Sequence, residues 1–186
     1  MSKRPVPLRS AVAAALMAAI LCVLCPLSVP VGPIPITLAT LAIYFSAYVL
    51  PWQWAAASVG VYLLLGAVGL PVFSGYAGGL GRLLGPTGGY LIGYLPLAVC
   101  CALAVGGSRR RWVHLAGMAL GTVLLYILGT AWFCLQSGTG LADAVAKCVW
   151  IFLPGDFLKM AAALLLGPVL RRRLAAAGLL SGAREG

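Results

Sequence analysis

In an otherwise apolar chain of 186 residues, two side chains stand out for chemistry: Asp156 and Lys159, in Pro154-Gly-Asp-Phe-Leu-Lys159. Three positions apart, they share a face wherever the chain is helical. Charges at membrane depth are expensive and face a cavity or a partner. The pair therefore reads either as self-neutralising at a helix end or as a ligand site open to the outer face. A third charge, Arg82, lies in the glycine-rich stretch 69–89 on that same side. It supplies a cation for an anionic ligand. Within that stretch, Gly81-Arg-Leu-Leu-Gly-Pro-Thr87 is no phosphate loop, lacking the Gly-Lys-Ser/Thr ending and a preceding strand. Irregular backbone at membrane depth is tolerated where it is buried in protein or lines a cavity, and glycines let backbone approach a ligand closely. Phe73, Tyr76 and Tyr90 are candidates for ligand contact or for plain packing. Thr87 is placed to cap the helix that follows.

Other chemistry is scarce. The chain has one His and no His-Glu-x-x-His, so no metal site and no catalytic residue is assigned. His114 follows an arginine triplet at an interface, on the wrong side to activate Ser74. Two alternatives stay open: a membrane-embedded enzyme using Asp156 and Lys159 as acid and base, and a structural scaffold with the glycine stretch merely packed.

The elements that must position these residues follow from composition. Apolar residues make up 62% of the chain and charged ones 9%, where a soluble domain carries about 25% charged. A mean hydropathy of +1.05 leaves too few polar groups to cover a water-exposed surface. Six spans of about 20 residues would use roughly 120 positions. Expected spans cover 8–27, 36–50, 54–70, 90–105, 112–135 and 144–170, the last broken near Pro154. A single membrane domain, 1–186, results. It has no room for a nucleotide-binding domain, which alone needs about 200 residues.

Charge sets the orientation. Basic residues cluster as Lys3, Arg4 and Arg9; as Arg109, Arg110 and Arg111; and as Arg171, Arg172, Arg173 and Arg184. Each cluster ends an apolar run, the pattern of cytoplasmic anchoring rather than nucleic-acid binding. Both termini are therefore expected in the cytoplasm, and 28–35, 71–89 and 136–143 outside. Cys22, Cys25, Cys100 and Cys101 lie in apolar runs as small apolar residues, while a Cys134–Cys148 bridge is a minor option. Ala11, Ala15 and Ala19 form a small-residue stripe, suited to close helix approach within the chain or to a partner.

Taken together, Pro33-Ile-Pro-Ile-Thr-Leu38, Gly69-Leu-Pro-Val-Phe-Ser-Gly75, Gly78-Gly79, Gly85-Pro-Thr-Gly-Gly-Tyr90 and Leu153-Pro-Gly-Asp-Phe-Leu-Lys159 resemble the BioY family. Those proteins are biotin-binding substrate-capture (S) components of energy-coupling factor transporters. One departure is Ala39, where the family pattern leads one to expect Gln before Thr40. The resemblance implies an all-α membrane protein: a compact six-helix bundle whose outer loops cap a ligand pocket. It implies no cofactor and no enzyme activity. Biotin is the ligand, with another small vitamin-like molecule as the alternative. Asp156, Lys159, Arg82, Phe73, Ser74, Tyr76, Tyr90 and Thr40 are the expected ligand-binding residues. Implied partners are a membrane coupling subunit and two cytosolic ATPases, met through Ala11, Ala15 and Ala19. Location in a bacterial or archaeal cytoplasmic membrane follows from the same resemblance.

Overall fold

The computed structural model describes residues 8–30 and 34–179, apart from the side chains of Lys147 and Cys148. Lys3, Arg4, Pro33, Arg184, Glu185, both chain ends and any Cys134–Cys148 bridge lie outside the described residues.

The chain is mostly helical. Helix α1 (Leu8–Leu24) leads through a two-residue ribbon, β1 (Ser28–Val29) and β2 (Ile36–Thr37), into α2 (Ala39–Val49) and α3 (Trp52–Ala67). A short α4 (Leu80–Leu84) precedes α5 (Gly88–Gly107), α6 (Arg111–Ser137), α7 (Leu141–Cys148) and α8 (Leu153–Ala176). Three of these, α5, α6 and α8, are long and apolar enough to cross a membrane; α1 and α2 are shorter apolar helices. The ribbon is antiparallel, pairing Ser28 with Thr37 and Val29 with Ile36.

Lateral surfaces are apolar, with Leu16 and Val23 on α1, Leu120, Val123 and Ile127 on α6, and Leu165, Leu166 and Val169 on α8 all exposed. A helix apolar all round belongs in lipid. Polar side chains turn inward instead and pair there. The Tyr44 hydroxyl meets Thr122 Oγ1 at 2.6 Å, and Thr122 Oγ1 donates to the Met118 carbonyl at 2.8 Å. Because that threonine has one hydrogen, Tyr44 is the donor between them. Tyr90 meets Thr130 at 3.1 Å. No buried side-chain nitrogen or oxygen among the described residues lacks a partner, as a medium without water demands.

Glycines let α5 lie close against α6. A Cβ on Gly89 would stand 2.3 Å from Trp132 Cβ and 2.8 Å from the Leu128 carbonyl oxygen. One on Gly93 would meet Leu125, and one on Gly121 would meet Leu97. In lipid, where apolar surface gains nothing by leaving solvent, such backbone approach supplies the van der Waals contact that drives association.

Several local expectations are corrected. The glycine-rich stretch does contain a helix, α4, because Leu80–Leu84 holds a single internal glycine. Thr87 sits at the N-cap position of α5 without a side-chain cap bond. The break expected near Pro154 needs no correction: the chain turns at 149–152, and Pro154 occupies the first turn of α8, where its missing N–H is harmless. His114 is buried: its Nε2 donates to the Ser108 carbonyl at 2.8 Å, and its ring meets Tyr48 edge-on at 5.5 Å. On α1 the inward face is Ser10, Ala14, Ala18 and Leu21. Ala15 and Ala19 are exposed and Ala11 is half-buried, so the stripe faces outward and is not internal packing.

Gly89→Val is expected to lower the unfolding temperature in detergent by several degrees, since overpacking costs roughly 1–3 kcal/mol. Gly60→Ala, where an added Cβ meets nothing within 4 Å, should leave it unchanged or raise it. Equal losses in the two variants would mean that the α5–α6 approach is not what the glycines serve.

Candidate functional site

The first turn of α8 carries Asp156, whose backbone N–H bonds to the Phe152 carbonyl at 2.9 Å. A carboxylate here is favoured by the exposed N–H groups of the helix end, yet its residue is only 3% exposed. Lys159, one turn on, reaches back with Nζ 3.0 Å from Asp156 Oδ1. The same ammonium donates to the Thr37 carbonyl at 2.8 Å and to Thr40 Oγ1 at 3.1 Å. Thr40 Oγ1 in turn donates to Asp156 Oδ1 at 3.2 Å, and the Tyr126 hydroxyl donates to Oδ2 at 2.5 Å. Elements β2, α2, α6 and α8 thus converge on one ion pair. All three ammonium hydrogens have protein acceptors.

Beside this cluster lies a small cavity of about 30 Å³, lined by Cys25, Thr37, Phe73, Ser74, Arg82, Thr87, Tyr90 and Tyr94 among others. Thr37 joins the two. Its carbonyl holds Lys159, and its hydroxyl lies 3.4 Å from Tyr94 Oη, a long contact. Thr37 also lines an open depression of about 420 Å³ bounded by Leu27, Ser28, Val29, Ile36 and Leu38.

The glycine stretch shapes the cavity wall. Phe73 is fully buried, edge-on to Tyr62 at 5.7 Å, and its ring fills the space a side chain on Gly66 would need. Its N–H bonds to the Ala77 carbonyl at 2.9 Å across a tight turn. Gly79 has φ +93° and its N–H bonds to the Gly66 carbonyl at 2.7 Å, a conformation that glycine adopts without strain. Gly75 N–H bonds to the Pro26 carbonyl at 3.2 Å, tying this loop to the end of α1.

The expected site residues fall into three groups. Phe73, Ser74, Arg82 and Tyr90 line the cavity. Asp156, Lys159 and Thr40 form the adjoining polar cluster. Tyr76 joins neither: it is 65% exposed at the turn, with φ +58°. Arg82 is exposed at the cavity wall, and no hydrogen bond or ion pair engages it among the described residues. Three further residues, Thr37, Tyr94 and Tyr126, were not singled out in the sequence. Tyr94 had a signal, since it stands one helical turn after Tyr90 and shares its face. Thr37 lay inside the proline-flanked motif, while Tyr126 carried no local mark. Among the described residues no group of His, Cys, Asp and Glu could hold a metal ion.

Comparison with known proteins gives the family of the chain. The BioY family profile matches residues 1–176. A protein named biotin transporter BioY from Rhodobacter capsulatus is 40% identical over 147 residues, covering 72% of this chain and 77% of the relative. One named probable biotin transporter BioY from Pyrococcus horikoshii is 34% identical over 157 residues, covering 84% and 93%. Thermotoga maritima biotin transporter BioY is 38% identical over 122 residues, covering 66% and 72%. Among solved structures, the S-component for biotin from an ECF-type ABC transporter superposes with a TM-score of 0.82 at 28% identity, covering 92% of this chain and 95% of that one.

Lys159→Met is expected to destabilise the fold by about 3–5 kcal/mol, because it strands a buried carboxylate. Asp156→Leu combined with Lys159→Met should recover most of that loss, since an apolar pair needs no counter-charge. Thermal unfolding of the two variants in detergent checks this, and a double variant less stable than the single one would refute it.

Proposed function

We propose that this chain, which belongs to the BioY family, is the biotin-capturing S component of an energy-coupling factor transporter. It takes biotin up across the membrane in which it is embedded. It is a transporter subunit and not an enzyme. The observation that carries the site assignment is the buried Asp156–Lys159 pair adjoining a cavity with an unengaged arginine on its wall.

Biotin matches these groups. Its ureido ring offers two N–H donors, which suit the Asp156 carboxylate. Its thioether ring and valeryl chain suit Phe73, Tyr90 and Tyr94. Its terminal carboxylate suits Arg82. Ser74 and Thr40 lie within the same shell, and Tyr76 is the outermost candidate. Each charge-assisted bond contributes roughly 1.5–3 kcal/mol, so two with apolar burial approach the ~12 kcal/mol of nanomolar binding. A pocket for a molecule of this class occupies roughly 300 Å³ or more, against about 30 Å³ here. Capture therefore widens the cavity, and the glycines of 69–87 give one of its walls conformational freedom.

The same reading gives a bundle of six spans: α1, α2 with its entering strand, α3, α5, α6 and α8. With the N-terminus in the cytoplasm, the arginines at 109–111 and 171–173 face the cytoplasm and the cavity faces outward. The membrane is a bacterial or archaeal cytoplasmic membrane. The outward stripe Ala11, Ala15 and Ala19 is the surface for the membrane coupling subunit, through which two cytosolic ATPases act.

Calorimetric titration of the purified protein with biotin tests the site, with dethiobiotin as comparator. Asp156→Asn is expected to weaken biotin at least tenfold. Arg82→Gln should weaken biotin but not its methyl ester, which lacks the charge. Unchanged biotin affinity in either variant removes that residue from the site.

Replacing Ala11, Ala15 and Ala19 by Leu is expected to preserve biotin binding in detergent and to reduce uptake in vesicles containing the coupling subunit and ATPases. Uptake equal to that of the unaltered chain would remove the stripe from the coupling surface.

A further inference from the structure

The hydrogen-bond inventory of the ion pair assigns a task to Tyr126. Each oxygen of a carboxylate offers two lone pairs. Oδ1 of Asp156 uses both, accepting from Thr40 Oγ1 at 3.2 Å and from Lys159 Nζ at 3.0 Å. Oδ2 accepts from Tyr126 alone among the described residues. Lys159 has three N–H groups and three acceptors, the Thr37 carbonyl, Thr40 Oγ1 and Asp156 Oδ1. The pair therefore retains one unused acceptor position, on Oδ2, and no unused donor. A ligand N–H that bonds Asp156 without dismantling the cluster must arrive at Oδ2, beside the phenol.

A carboxylate rotates readily about its Cβ–Cγ bond, where the torsional profile is broad. Thr40 and Lys159 pin one oxygen from α2 and α8, and Tyr126 pins the other from α6. As a neutral donor, the phenol fixes the direction of Oδ2 without neutralising its charge. We propose that Tyr126 is a positioning residue for ligand capture, holding Asp156 Oδ2 so that its remaining lone pair receives a ureido N–H. This rests on the reading that Asp156 meets the ligand. It adds which oxygen of Asp156 makes the contact.

A double-mutant cycle on the full chain tests it, with biotin titrated into native protein, Tyr126→Phe, Asp156→Asn and the combination, each shown to be folded by thermal unfolding. Tyr126→Phe is expected to weaken biotin about tenfold in the native background and less than twofold when Asp156 is already Asn, since only coupled residues deviate from additivity. Tyr44→Phe, which removes a different buried phenol hydrogen bond, should change affinity less than twofold. The proposal is overturned if Tyr126→Phe leaves affinity within twofold, or if it costs the same factor with and without Asp156. If Asp156→Asn leaves biotin affinity unchanged, the site assignment itself falls and the positioning role with it. If Asp156→Asn weakens binding and Tyr126→Phe does not, only the positioning role falls. A second readout needs no Asp156 variant. The chain has two aspartates, Asp143 and Asp156, so carboxyl-¹³C aspartate in an Asp143→Asn background gives an infrared band that belongs to Asp156. Biotin is expected to shift the Asp156 band in that background and to shift it less when Tyr126→Phe is added; identical shifts overturn the proposal.

Discussion

An aspartate and a lysine held out of water organise the rest of this molecule. Two buried charges have little solvent to fall back on, so their hydrogen bonds have to be made with protein. Thr37, Thr40 and Tyr126 meet that demand from β2, α2 and α6, while the pair itself sits on α8. None of these elements can shift alone without exposing an unpaired group. The ion pair is therefore a constraint on four elements at once, and it places a charged acceptor beside a cavity.

Small residues set the helix spacing around it. Polar contacts of about 3 Å between helices require backbones closer than leucine-lined surfaces allow. Gly89, Gly93 and Gly121 supply the approach between α5 and α6. Gly167 gives Tyr48 room against α8. The buried tyrosines then span what remains, with Tyr44 and Tyr90 reaching threonines on α6. The interior is largely apolar, and the polar side chains it does hold are paired within the protein, the arrangement expected where the solvent is hydrocarbon.

Scarcity made part of the site legible in sequence. In a chain with three acidic residues, Asp156 could hardly be missed, nor Lys159 three positions on. Arg82 and Phe73 stood out because glycines surrounded them. Tyr126 was invisible for the opposite reason: in an apolar helix, one tyrosine looks like any other. Its partner lies 30 positions away, and only the packing of α6 against α8 shows the pairing. The direction of Tyr76 was equally hidden, since a left-handed turn residue sends its side chain away from its neighbours. The facing of the alanine stripe depended on which of two small-residue rows α1 turns inward. Ala14 and Ala18 compete with Ala15 and Ala19 on size alone, and periodicity cannot separate them.

The outward row on α1 and one side of the cavity are joined through the end of the same helix, which bears on how capture becomes uptake. Helix α1 continues into Cys25, whose N–H bonds to the Leu21 carbonyl at 2.9 Å. Cys25 lines the cavity and accepts from Tyr62 on α3. The next residue, Pro26, holds Gly75 of the glycine-rich loop through its carbonyl. On the proposal that a partner seats on Ala15 and Ala19, a tilt of α1 would move Cys25 and Pro26 together, and with them one wall of the cavity and the anchor of its loop. The Asp156 cluster, built on α2, α6 and α8, would stay behind. Force applied to α1 would thus separate the apolar wall from the charged acceptor. The apolar side of the cavity is held by the Tyr62–Cys25 and Gly75–Pro26 hydrogen bonds, the charged side by an ion pair.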